Sequence, residues 1–139
     1  MSVEWIKYRG ESLALIISSN YNPSKTTFIT PLEYKQQLGY IVYKKEESIT
    51  PHIHIPMTRS FIGTSEVLFL KSGKVQVNFY SKDKIFITSR ILNKGDIILL
   101  ISGGHGFKML EDSVMVEVKQ GPYLGKKEKE RFNLNDSSQ

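Results

Sequence analysis

The sequence predicts an all-β domain of the sandwich or barrel class, and three observations carry that reading. Apolar residues fall in short runs that either alternate with polar ones or are wholly apolar, which are the patterns of half-buried and fully buried strands. Gly, Asn, Asp and Ser divide the runs at near-regular spacing, the punctuation of turns. Between them little room is left for helix: only 31–37 and the stretch after Tyr123 read as possible helical turns.

In chain order the predicted strands are 4–8, 13–18, 26–30, 39–44, 52–55, 66–71, 74–80, 84–91, 96–101, 105–110 and 114–119. The middle of the chain is the clearest part. Strand 66–71 turns at Lys71-Ser72-Gly73 into 74–80, which turns at Ser81-Lys82-Asp83 into 84–91. In 74–80, Val75, Val77 and Phe79 alternate with Gln76, Asn78 and Tyr80, giving one buried and one wetter face. Asn93-Lys94-Gly95-Asp96 is a further turn, with Gly95 suited to positive φ. The run Ile97-Ile98-Leu99-Leu100-Ile101 is apolar on both faces and belongs deep in the domain.

At 139 residues the chain fits one domain with a proper core, expected over 1–132, followed by a flexible polar tail at 133–139. Lys+Arg 19 against Asp+Glu 14 gives a net charge of +5, spread along the chain. The densest runs, Lys44-Lys45 and Lys126-Lys127, are each followed by acids, the pattern of a solvated face, so a nucleic-acid partner is not expected. No cysteine is present, which removes disulfides and thiolate metal sites and suits a reducing compartment. The N-terminus has no basic segment leading into an apolar one, and no window approaches the roughly 18 apolar residues of a membrane helix. The expectation is a cytoplasmic protein with no membrane partner.

All three histidines lie in two short segments, Pro51-His52-Ile53-His54 and Gly103-Gly104-His105-Gly106. On a strand His52 and His54 share one face while Ile53 and Ile55 take the other. A carboxylate from Glu66 and a third imidazole from His105 would complete a four-ligand pocket for a divalent ion. Nitrogen and oxygen ligands suit Zn, Fe, Ni or Mn alike.

The same residues resemble the cupin superfamily, whose fold is a double-stranded β-helix, a small jelly roll. His52-Ile53-His54 matches the His pair of the first cupin motif, and Glu66 through Gly73 matches its second half. Gly95-Asp96 and His105 match the outline of the second motif. Eleven residues separate His54 from Glu66, more than the family pattern has, so 55–65 is expected to be an inserted loop. Ile101 stands where the family usually has Pro, and Met109 where Asn often follows. The resemblance covers roughly 46–120. The segments His105-Gly106-Phe107 and Glu117 to Tyr123 look like small cupins of bacterial surface-polysaccharide and nucleotide-sugar pathways, which implies a carbohydrate or nucleotide-sugar as small-molecule substrate.

Three functions follow from different classes. The first is a metal-dependent isomerase or epimerase, with the ion held by His52, His54, Glu66 and His105 and polarising a carbonyl or enolate oxygen. The second is a metal-free epimerase or ketoisomerase with His52 or His54 as base, Tyr80 or Tyr123 as acid, and Glu66 orienting a histidine. The third is a sugar-binding module without turnover. Tyr80, Phe107, Glu117, Lys119 and Tyr123 are candidates to line the pocket, and Arg59 in the inserted loop is a candidate contact for an anionic group. Glu117 and Lys119 share a face opposite Val116 and Val118, so they are acid/base candidates if that face looks inward. Exposed edge strands favour a homodimer.

Overall fold

The computed structural model describes residues 2–133, so the expected tail beyond Asn133 lies outside the described residues. Its contacts group into two units, residues 2–21 with 64–133 and residues 22–63.

The larger unit is two antiparallel sheets. One runs in the order β1 (Val3–Tyr8), β2 (Glu11–Ile17), β8 (Ile97–Leu100), β5 (Glu66–Ser72), β10 (Val114–Lys119); the other runs β7 (Phe86–Asn93), β6 (Lys74–Tyr80), β9 (Gly104–Met109). One apolar cluster joins their facing sides. Leu68, Leu70, Ile98, Leu100, Ala14 and Ile6 come from the five-stranded sheet, and Val75, Val77, Phe79 and Leu92 from the three-stranded one. Burying a side chain of this kind is worth about 1.5–3 kcal/mol, so the cluster is what keeps the two sheets face to face. Among the described residues the sheets do not close into a barrel: β1 and β10 are edges of one and β7 and β9 of the other.

Several sequence expectations are met in detail. Val75, Val77 and Phe79 are buried while Gln76 and Asn78 are not; Tyr80, expected on the wetter face, is instead buried against Phe86 and Phe132. Ile98, Leu99 and Leu100 are all buried, because β8 is the central strand between β2 and β5 and both its faces are covered. Gly73 and Gly95 take positive φ at their turns, 94° and 91°. The β7–β8 turn is further tied by Asp96, whose carboxylate accepts from the amides of Asn93 (2.7 Å) and Ser19 (2.8 Å) and so pins the chain just beyond β2.

The smaller unit holds only the two-residue strands β3 (Thr27–Phe28) and β4 (Gly39–Tyr40), paired antiparallel. Thr30 fastens the turn between them: its hydroxyl donates to Gln37 (2.7 Å) and accepts from the Leu38 amide (3.0 Å). The expected strand at 52–55 is not formed, and the expected 39–44 is cut to two residues. Pro51 and Pro56 bracket the His-x-His segment and remove two backbone donors, and no ladder partner lies beside it among the described residues. The stretch is an exposed strap, with Ile53 at 91% and Ile62 at 105% of full exposure. A single 3-10 turn, Gly125–Glu128, follows β10; among the described residues no helix is long and apolar enough to cross a membrane.

Candidate functional site

Strand parity decides which polar side chains enter the space between the sheets. On β10, Met115 packs against the core, so Glu117 and Lys119, two and four residues on, share its inward face. Lys119 is directly opposite Glu66, the first residue of β5, and Glu117 is opposite Leu68. From the facing sheet, His105 of β9 is opposite the buried Phe79 of β6 and so takes the inward side as well. Four polar residues from β5, β9 and β10 thus meet at one open end of the apolar interior, with Glu117 the most exposed of them.

Their contacts are specific. His105 Nε2 lies 3.6 Å from Glu66 Oε1, an ion-pair separation somewhat longer than a hydrogen bond, with the His105 ring edge-on to Phe107 at 5.7 Å. Glu66 is the more buried partner, its side chain 14% exposed. Glu117, on the neighbouring strand, sits opposite Leu68, two residues along the same face from Glu66. Lys119 Nζ sits 3.9 Å from Glu117 and 2.9 Å from Glu128, and 4.7 Å above the Tyr123 ring. The exposed Tyr123 therefore lies beside the cluster as a cover for its lysine.

These contacts drive the two carboxyls apart. The His105 imidazole beside it, reinforced by Glu117 and Lys119, outweighs burial and lowers Glu66 to about 2. Glu117 moves the other way: the Glu66 carboxylate beside it, together with burial, pushes its pKa up. Like charges this close resist double ionisation. Glu128 holds Lys119 above its ordinary value and is itself lowered by that lysine. The result is a carboxyl of lowered pKa, a carboxyl of raised pKa, an imidazole and an ammonium side by side, a division characteristic of acid/base sites.

Of the other expected site residues in the larger unit, Tyr80 lies outside this cluster. Tyr80 follows Phe79 and takes the opposite face of β6, where its buried ring meets Phe86 (5.8 Å) and Phe132 (5.0 Å). The glycine pattern around His105 has its reason there: a Cβ on Gly104 would come within 3.1 Å of Phe132 and 3.3 Å of Tyr80. Gly104 and Gly106 leave the outward side of β9 to these rings while His105 points inward. His52 and His54 belong to the strap of the smaller unit, their rings 5.2 Å apart and His52 Nδ1 2.9 Å from the Thr50 carbonyl; Arg59 is exposed in the same strap. Among the described residues no three His, Asp or Glu side chains gather in positions that could hold a metal ion.

Two contacts escape sequence reading. Glu128, in a charge run that reads as solvated, is folded back onto Lys119, and its other oxygen accepts from the Leu124 amide at 3.3 Å. Arg90 of β7 grips the Glu4 carboxylate of β1 through Nε (3.0 Å) and Nη2 (3.0 Å), bridging the two sheets in the fork geometry that arginine favours. Neither carries a motif; both need the fold to bring residues far apart in sequence together.

Comparison with protein-family models, with curated proteins and with solved structures found no match to the chain. The class it can be assigned to is the one its strands define, an all-β protein built on two facing antiparallel sheets.

Proposed function

We propose that the larger unit is a double-stranded β-helix that catalyses proton transfer on a carbohydrate or nucleotide-sugar, an isomerase or epimerase type of reaction. Support for the fold is the pairing of its last six strands, with β5 between β8 and β10 in one sheet and β6 between β7 and β9 in the other, the interleaving of a jelly roll. The observation that carries the reaction is the His105–Glu66 pair at 3.6 Å with Glu117 and Lys119 on the adjoining inward face of β10.

An ionised Glu66 favours the imidazole proton on Nε2 and leaves the lone pair on Nδ1, so His105 is the base. It takes a proton from the carbon next to a substrate carbonyl. The C–H electron pair moves to that carbon–carbon bond and the carbonyl oxygen receives the proton that Glu117 holds. Lys119 stabilises negative charge on the oxygen as it develops. Delivery of a proton from solvent to the other side of the same carbon, with the enol hydroxyl returning its proton to Glu117 and His105 losing its own to solvent, gives the epimer; delivery by His105 to the former carbonyl carbon, with the hydroxyl on the first carbon passing its proton to Glu117 as it becomes the new carbonyl, gives the isomer. None of these steps calls for a divalent ion; each uses a side chain of the larger unit.

Incubation with a panel of keto-sugars and nucleotide-linked keto-sugars in D2O, followed by proton NMR, tests the reading. Loss of one C–H signal is expected, slowed about 10²–10⁴-fold by His105→Gln, the usual contribution of a general base. No exchange with any member of the panel, or exchange that His105→Gln leaves at the wild-type rate, refutes it.

A further inference from the structure

In the charged turn that follows β10, Glu128 is folded inward. Gly125 takes a φ of 62°, and the 3-10 turn it opens leaves Lys126 and Lys127 exposed while the Glu128 side chain is only 10% exposed. Both of its oxygens are used: Oε1 accepts from Lys119 Nζ at 2.9 Å and Oε2 from the Leu124 amide at 3.3 Å. Beyond the turn the chain is fastened again, by Glu130 on Lys84 at 2.7 Å and by Phe132 edge-on to the buried Tyr80 at 5.0 Å. A glutamate in solvent needs no such arrangement, whereas a carboxylate drawn out of water needs a partner.

That partner is Lys119, and the pair decides where its ammonium stands. Nζ, on a side chain 15% exposed, lies 3.9 Å from Glu117 and 4.7 Å from the centre of the Tyr123 ring. Lysine is a point charge on a flexible four-carbon stem, so the side chain does not fix this place by itself. Deprived of Glu128, a covered ammonium closes on the nearest carboxyl, either Glu117 or Glu66, which is opposite Lys119 on β5. Either contact takes a group the reaction needs, the acid in one case and the partner of His105 in the other.

We propose that Glu128 is a positioning residue: it tethers the Lys119 ammonium beside Glu117 but off it, at the place where negative charge develops on the substrate oxygen. The proposal deepens the proton-transfer reading and rests on it for the role of Lys119. Closing from 3.9 Å onto Glu117 moves the ammonium by about 1 Å, and a misplacement of that size costs about 10²-fold in rate.

Two measurements test it. In the first, the protein is treated briefly with acetic anhydride and the labelled lysines are read by mass spectrometry. Lys119 is expected to react more slowly than the exposed Lys126 and Lys127 in the wild type, and faster in Glu128→Gln than in the wild type. In the second, deuterium exchange on the keto-sugar panel is expected to lose about 10²-fold in kcat in Glu128→Gln with KM unchanged. Lys119→Met is expected to lose about 10²–10³-fold, and adding Glu128→Gln to it to cost nothing more, because the tether then has nothing to hold. A purely structural role for Glu128 predicts instead that the two losses multiply. Equal acetylation of Lys119 in wild type and Glu128→Gln overturns the proposal, as do a wild-type kcat in Glu128→Gln and losses that multiply in the double variant. Absence of exchange in the wild type refutes the reaction and not the tether, which acetylation decides without any substrate.

Discussion

Replacing Tyr80 with Phe separates packing from chemistry at one atom. The Tyr80 ring is 2% exposed, edge-on to Phe86 and Phe132, and its hydroxyl is the one buried side-chain polar atom without a hydrogen-bond partner among the described residues. Burial alone raises the pKa of that hydroxyl, so it stays protonated and still finds no acceptor. An unsatisfied buried polar group costs about 1–3 kcal/mol. Phe keeps both ring contacts, adds no atoms and removes the hydroxyl, so Tyr80→Phe should stabilise the fold by about 1–2 kcal/mol, the lower part of that range. For a chain of this size that raises Tm by about 3–8 °C. Urea unfolding with an unchanged slope and a higher midpoint is the assay, run beside deuterium exchange on the same protein. Because Tyr80 faces away from His105, exchange should continue at the wild-type rate. A loss of 1 kcal/mol or more would show that the hydroxyl is bonded in solution, and a loss of exchange with stability intact would restore Tyr80 as the acid in place of Glu117.

Three further outcomes follow from the same geometry. Glu66 is lowered from 4.5 to about 2, so its ionised form contributes stability that is present above pH 4.5 and lost as pH falls toward 2; Glu66→Gln should flatten that part of the stability curve, and urea midpoints that fall just as steeply in the variant would contradict the pairing with His105. Gly73→Ala should cost about 1–3 kcal/mol from the positive φ alone, and more because its Cβ would collide with Ser113 and the Asp112 carbonyl, so a thermal midpoint within a degree of wild type is the adverse result. Exhaustive chelation followed by dialysis should leave deuterium exchange unchanged; exchange that disappears and returns with one added divalent ion would show that a metal carries the chemistry.

How much of the molecule can be read from its sequence depends on which forces set each part. The core strands are legible because alternation and burial are the same fact seen twice: Val75, Val77 and Phe79 could be assigned to one face before any partner strand was known, and the doubly apolar 97–101 had to be central. Turns at Gly73 and Gly95 are legible for a local reason, positive φ. The segment 52–55 is misread because β propensity and alternation say only that a strand would suit these residues, whereas a strand exists only when a neighbour supplies its hydrogen bonds. Flanked by Pro51 and Pro56, the histidines keep their side-by-side arrangement without the ladder.

The site shows the same limit at the level of faces. Sequence alone establishes that Glu117 and Lys119 share a side of β10, but which side looks inward is fixed by Met115 packing on the core and by the register that sets Lys119 against Glu66. Once that register is set, the electrostatics follow: Glu66, beside an imidazole and an ammonium, is lowered, and Glu117 beside that carboxylate is raised. The chemistry proposed for the chain therefore depends less on any residue type than on parity. Shifting β10 by one residue against β5 would turn Glu117 and Lys119 to solvent, bring Val116 and Val118 inside, and leave His105 and Glu66 as an isolated pair with no proton donor beside them.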